Sequence, residues 1–484
     1  MKPAGPALVW FRNDLRISDN PALSAAINLG RPVLGLYVLE TDSDGARPLG
    51  AAASWKLHGA LDALRNALDT INVPLILMRG SSKDILPKLA DNLGVGACFW
   101  NRRYEPAAIA TDKGVMALLK NSGVEVRSWN GSLIAEPWQV KTKTGGWYKV
   151  FTPFYKAARA SAEQLQPIDT PVVAPKWQSA VTVGDTLENW GLIPTKPDWA
   201  GGLRANWSHG DEAAQNRLSL FLQEGLKGYS EGRNFPSVFN VSGISPHLRF
   251  GEISPRQARF AAAIARDRAN GDLDSDFEAF ERELYWRDFC HNLLFYADDL
   301  ATSNFQPKFD NFPWRTDKIG FSAWAKGETG YPIVDAGMRQ LWETGWMHNR
   351  VRMIVASFLT KHLMIDWRQG EAWFWDTLID ADPASNPSNW QWVAGSGADA
   401  APYFRIFNPI AQGEKFDASA AYVRRWIPEI AKLPNKLIHS PWKASTSQLE
   451  EASINLGENY PNPIVEHGAA RTRALAAYQS IRIA

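Results

Sequence analysis

The chain has 484 residues, enough for about three domains of ordinary size and a large buried core. Apolar residues make up 45% and charged residues 21%, with a net charge of +1, which excludes a disordered tail protein and a uniformly basic nucleic-acid-binding domain. No run approaches the roughly 20 apolar residues of a membrane span, and no signal-peptide core precedes Arg12 and Asp14, so a cytoplasmic location is expected. Cys98 and Cys290 are too few for a disulfide framework, a four-thiolate zinc site or a Cys-ligated iron–sulfur cluster. The 22 tryptophans are the unusual count, and half of them fall between Trp286 and Trp426. A clustered indole needs a use for its flat face or its N–H.

The first 130 residues alternate strand-like and helix-like segments. The strands are expected at Ala7–Phe11, Val33–Leu39, Leu75–Met78, Ala97–Trp100 and Val124–Ser128. Between them, Ala52–Leu68 carries Leu57, Leu61, Leu64 and Leu68 at three- and four-residue steps, the period of a helix. Such alternation implies an α/β domain with a parallel, Rossmann-like sheet. RNDLRISDNPAL follows the first strand where a dinucleotide fold would place GxGxxG, so a standard NAD site is not expected, although a ligand could still sit at the strand ends. Residues 131–204 carry prolines at 153, 167, 171, 175, 194 and 197 and read as a long surface connector. From 205 to 484 the period is helical, with segments at Asp211–Gly225, Ser254–Asn270, Asp276–Tyr296, Asp335–His362 and Glu371–Ile379. An α/β domain, a connector and a large all-α domain are therefore expected.

Three segments carry candidate chemistry. In FERELYWRDFCHNLLFY, Glu283, Trp286 and Arg287 share one helical face, either as a surface ion pair beside a packed indole or as the wall of a pocket. In VDAGMRQLWETGWMHNRVRMIVASFL, Asn349, Arg352 and Met353 share a face opposite Val351, Ile354, Val355 and Phe358. A buried arginine there would need Asp380 or Asp382; otherwise His348, Asn349 and the arginines form a solvated helix end. The loop DADPASNPSNWQWVAGSGADAAPYFR combines carboxylates, amides, Trp390 and Trp392 with little aliphatic filler, the composition of a segment that lines something. These patterns leave two classes open: a carbohydrate enzyme with aromatic platforms and paired carboxylates, and a site for a flavin or nucleobase.

Whole motifs go further. LVWFRNDLRISDNPAL, SGISPHLRFGEISPRQ, ELYWRDF, GYPIVDAGMRQLWETGWMHNRVRM and DADPASNPSNWQWVAGSGADAAPYFRIFNP together resemble the DNA photolyase and cryptochrome family. The similarity runs from about Ala7 to beyond Phe416. It implies an antenna domain over 1–130, a linker over 131–204 and a helical FAD-binding and catalytic domain over 205–484. By resemblance, Tyr229, Ser242, Ile244, Ser245, Arg287, Asn349, Arg352, Asp380, Asp382 and Asn386 are cofactor contacts, with Arg352 and Asp380 as an ion pair and Asn386 facing flavin N5. Val241 departs from the family, where many relatives carry Thr. Glu283 resembles the carboxyl group that hydrogen-bonds the dimerised pyrimidines. Trp286, Trp392, Met353 and Asn349 resemble contacts of a flipped-out lesion, and Arg233, Arg350 and Arg405 resemble phosphate clamps. Trp390, Trp367 and Trp314 match the family's electron-hopping chain.

The branch that these residues most resemble repairs cyclobutane pyrimidine dimers. Relatives acting on (6-4) lesions carry histidines where this chain has Asn349 and Met353, and cryptochromes tend to differ at Asn386; both remain the alternatives. GWMHNRVRM and Asn386 are shared by ordinary microbial enzymes and by the plant-cryptochrome-like bacterial class III group. The stretch WNRRYEP, with Glu105, resembles the folate-binding region, which implies a methenyltetrahydrofolate antenna; the plain alternative is a carboxylate favoured at a helix N-terminus. A monomer acting on DNA that contains pyrimidine dimers, with no membrane partner, is the implied assembly.

Overall fold

The computed structural model describes residues 5–41, 45, 47–161, 166–179, 183–297, 299–399 and 404–483. Parts of two segments read from the sequence lie outside these residues: 162–165 and 180–182 of the connector, and 400–403 of the Trp390 segment. By packing, the chain divides into one unit of Met1–Ala200, Trp207–Leu226 and Ser242–Asp298 and a second of Gly201–Asn206, Lys227–Val241 and Asp299–Ala484.

The first unit is built on a parallel sheet of β1 (Ala7–Phe11), β2 (Val33–Glu40), β3 (Leu75–Gly80), β4 (Ala97–Asn101) and β5 (Glu125–Trp129), in the order β3-β2-β1-β4-β5. β1 is buried along its whole length because both of its faces are covered. Ala7, Val9 and Phe11 point into one apolar cluster, whereas Leu8 and Trp10 point into another. Val9 stands opposite Gly35 on one side and Phe99 on the other. The order reverses between β1 and β4, where a doubly wound sheet usually opens for a ligand. Here the strand ends carry a buried network of the chain's own groups. Arg12 forks onto Asp112 at 3.1 and 3.3 Å and lies 4.2 Å over the Trp10 ring, while Asp14 accepts the Asn101 amide at 2.7 Å.

The five strands and the Ala51–Asp69 helix stand where the sequence places them, to within two residues at each end. Three local expectations fail. Within the expected connector, Phe151–Ser161 is a helix that buries Phe151, Phe154 and Tyr155, because Pro153 falls in its first turn, where no backbone N–H is needed. The expected single helix over 335–362 is two, Pro332–Thr344 and Asn349–Ser357. Gly345 ends the first in the left-handed region at φ 65°, and the His348 side chain caps the second. In the expected loop after Asp380, Ser385–Ala394 is a helix. Pro387 sits in its first turn, and Asp382 Oδ1 accepts the N–H groups of Ala384 and Ser385 at 2.9 and 2.7 Å.

The second unit is helical and centred on a core that includes Trp324, Trp367, Phe374 and Trp390. Among the described residues no helix is long and apolar enough to cross a membrane, and no group of three or more His, Cys, Asp and Glu side chains could hold a metal. Both cysteines are buried, and neither is in a disulfide.

Candidate functional site

In the first unit, helix Asp274–Tyr296 presents Glu283, Trp286 and Arg287 as partly exposed side chains over a buried face that includes Phe280, Leu284 and Phe289. Trp286 meets Phe151 edge-on at 4.8 Å and Phe289 at a tilt at 5.6 Å. Arg287 donates to Ser132 O at 2.6 Å and comes within 3.9 Å of Asp288. Asp288 is buried and accepts the N–H groups of Ile134 and Ala135 at 2.8 and 2.9 Å. Burial outweighs these bonds and pushes its carboxyl up to about 7.

Ser242 and Ile244 lie in the segment that leads into the Ser245–Phe250 helix, and Ser245 is the first residue of that helix. Gly243 sits there at φ 61°, and a Cβ on it would fall 2.4 Å from the Arg217 guanidinium. Arg217, a residue that no local pattern marked, stacks 4.5 Å over Trp207, and its buried Nε has no hydrogen-bond partner among the described residues. A cation is thus held beside Gly243.

The second unit gathers most of the remaining residues. Of the two carboxylates considered for Arg352, Asp380 is the partner: the guanidinium forks onto it at 3.1 and 2.8 Å and also donates to Met347 O at 2.8 Å. Asp382 instead holds the first turn of the Ser385–Ala394 helix. Asn386, in that turn, gives its amide N–H groups to Glu371 O and Oε1 at 3.0 and 2.8 Å, which leaves its carbonyl oxygen as the acceptor end. Glu371 was not marked by the sequence, since the two residues come together only when two helices pack.

The reading of 348–352 as a solvated helix end holds for Asn349 but fails for His348, which is buried. His348 Nδ1 accepts the Arg350 N–H at 3.2 Å, and its Nε2 has no hydrogen-bond partner among the described residues. Burial first, then the nearby Arg350, Arg352 and Arg233, push this imidazole down to about 3, so it is neutral at physiological pH. Arg350 bonds Asn234 Oδ1 and lies 4.4 Å over Phe416, and burial together with Arg233 and Arg405 lowers its pKa. Arg350 thus lies near two further guanidinium groups, a local concentration of positive charge on a nearly neutral chain. Arg233 lies 5.4 Å over Tyr229, and Arg405 is exposed.

Residues 390 and 392 are about 200° apart around their helix. Trp390 is buried, flush against Gly370, with Phe374 at 5.0 Å and Trp324 at 6.1 Å. Trp392 is partly exposed, as is Met353, and both pack on the same core. Trp367 is fully buried and donates to Asn304 at 2.9 Å, whereas Trp314 packs 4.4 Å from Phe312. Trp373 stacks at 9° on Trp342, an indole that is 64% exposed. Glu105 precedes the Pro106–Asn121 helix and accepts the Tyr104 N–H at 3.1 Å.

Residues 7–175 match DNA photolyase, and residues 280–480 match the FAD binding domain of DNA photolyase. A deoxyribodipyrimidine photo-lyase of Agrobacterium fabrum is 51% identical over 481 residues, 99% of this chain and 98% of that protein. The chain belongs to the photolyase/cryptochrome family. A solved bacterial class III photolyase from Agrobacterium tumefaciens superposes with a TM-score of 0.94 at 50% identity, over 100% of this chain and 98% of that one. Arabidopsis thaliana Cryptochrome-1 is 36% identical over 489 residues, 97% of this chain and 69% of that protein.

The family's FAD suits the donors found here. The segment at Gly243 sets two serines beside the Arg217 guanidinium, residue types suited to a diphosphate. The Arg352–Asp380 fork, the Asn386 carbonyl and the unpartnered His348 Nε2 suit the polar edge of a flat ring.

Proposed function

We infer that this protein repairs cyclobutane pyrimidine dimers in DNA with light. The observation that carries the reading is the near-full-length 51% identity to a deoxyribodipyrimidine photo-lyase. When bound, reduced FAD supplies a light-excited ring that lends one electron to the dimer and takes it back, so the two bridging C–C bonds break without net redox.

The chain's residues bind, orient and shield. Ser242, Ile244, Ser245 and Tyr229 would hold the phosphate and ribose portion, with the Arg217 cation beside Gly243. Arg287, Asn349, Arg352, Asp380, Asp382 and Asn386 would hold the remainder. Asn386 is a neutral group whose orientation Glu371 fixes, so it can contact the flavin without adding charge. Glu283 would hydrogen-bond the dimer, Trp286 and Trp392 would replace its lost stacking, and Met353 would pack beside it. Arg233, Arg350 and Arg405 would take the flanking phosphates. Trp390, Trp367 and Trp314 would resupply electrons to oxidised flavin, and the geometry supports Trp390 through its burial and its ring contacts.

The finer readings extend this one. Residues 1–130 serve as the antenna domain, 131–204 as the connector and 205–484 as the catalytic domain. The antenna is methenyltetrahydrofolate held in part by Glu105, and a folate-like absorbance released from purified protein would test it. The protein acts as a monomer in the cytoplasm. The decisive experiment illuminates the reduced protein with dimer-containing DNA and measures the lesion. Light-dependent loss of dimers is expected; no loss would overturn the repair reading and leave a photoreceptor.

A further inference from the structure

Lys361 lies in the wide turn Phe358–His362 and is 1% exposed. Among the described residues, no carboxylate pairs with it. Its ammonium sits 3.6 Å from the centre of the Phe404 ring and donates to Arg405 O at 3.2 Å. Phe404 is backed by Tyr478, stacked at 4.5 Å and 6°. Three residues on, the Phe407 N–H donates to Ser357 Oγ at 3.3 Å. The segment 404–407 is therefore pinned at both ends, with Phe404 and Phe407 buried and Arg405 exposed. Lys361, Trp392, Phe404, Arg405 and Phe407 line one cleft.

Packing alone gives no reason for a charge at this place. Burial works against the ionised lysine and brings it down to about 7, so a methionine of similar length would fill the volume more favourably. What the lysine adds is a charged donor on the backbone of one exposed arginine and a cation on the neighbouring ring.

We propose that Lys361 is a positioning residue for DNA binding: seated on Phe404 and bonded to Arg405 O, it fixes the segment from which Arg405 reaches a phosphate. The inference rests on the reading of Arg405 as a phosphate clamp. It extends the DNA-contacting apparatus to a buried residue that touches no nucleotide.

The test measures binding of the FAD-loaded full chain to a dimer-containing duplex across a salt series. It compares the parent with Lys361→Met, Arg405→Ala and the double variant. Lys361→Met should keep its flavin content and melt no lower than the parent. It should nevertheless bind about 5- to 10-fold more weakly, with a shallower salt slope. Arg405→Ala should lower the slope by about one, and the double variant should bind no worse than Arg405→Ala alone. A purely structural lysine would move melting temperature and binding together. If Lys361→Met does not fold, Phe404→Leu carries the comparison, because it removes the ring and leaves the lysine. Parent-like affinity and slope in a folded Lys361→Met or Phe404→Leu variant, or additive losses in the double variant, would overturn the proposal. A parent-like slope in Arg405→Ala would remove the clamp itself, and the proposal with it.

Discussion

Gly370 is where the packing of Trp390 can be tested most directly. It lies in helix Trp367–Thr377, and a Cβ there would fall 2.1 Å from Trp390 Cη2, 2.5 Å from Cζ3 and 2.6 Å from Leu359 Cδ2. Carbon atoms rest at about 3.5–4.0 Å, so Gly370→Ala requires the indole to shift by roughly 1.4 Å or the two helices to part. The substitution gains up to about 1 kcal/mol of helix propensity, while overpacking a full core costs about 1–3 kcal/mol. Gly370, Leu359 and Trp390 are all buried, so relief toward solvent is closed and the clash should win. A net loss of about 1–2 kcal/mol is expected, together with slower light-driven reduction of oxidised flavin. Trp390→Phe removes the six-membered ring that meets the new methyl group. In that background Gly370→Ala should cost little or stabilise, a coupling of about 1–3 kcal/mol. Chemical denaturation of the four proteins gives the cycle, and loss of oxidised-flavin absorbance under blue light gives the reduction rate. Parent-like stability and reduction in Gly370→Ala, or additive energies in the double variant, would refute the packing argument.

Trp390→Phe should lose photoreduction yet repair DNA once its flavin is reduced chemically. Trp392→Phe should photoreduce normally but bind damaged DNA less tightly, by up to the roughly 1–3 kcal/mol that stacking on one base is worth; failure of both variants in the same assay would contradict the opposed faces of their helix. Arg350→Ala should retain FAD and reduce the magnitude of the log–log salt slope of DNA binding by about one, and an unchanged slope would remove it from the clamp. Asp288 carries a carboxyl at about 7 when folded against an ordinary 3.8, so the folded state binds more protons than the unfolded state between those values. Stability of the parent should therefore fall as pH rises through that window. Asp288→Asn keeps an oxygen for the Ile134 and Ala135 N–H groups, and its stability relative to the parent should grow from pH 4 to pH 7. The order-of-magnitude ceiling is about 4 kcal/mol, and a difference independent of pH would count against the buried charge.

Local pattern was enough for the sheet, because buried parallel strands read as short apolar runs and Ala51–Asp69 as a leucine-striped helix. It was also enough to single out the helix of Glu283 and Trp286 and the segment of Trp390 and Trp392, since charged, amide and indole groups without aliphatic filler need a partner to face. Helix ends were less legible. A proline in a first turn, at Pro153 and Pro387, looks the same in sequence as a helix breaker, and only the caps around it decide. The choice of Asp380 over Asp382 for Arg352, the grip of Glu371 on Asn386, the Arg217 cation beside Gly243 and the seat of Lys361 on Phe404 all belong to tertiary structure. Each joins residues between 15 and 43 positions apart, beyond the reach of any helical or strand period. Their pairing depends on which helices pack, and burial then sets how strongly each charge must find its partner.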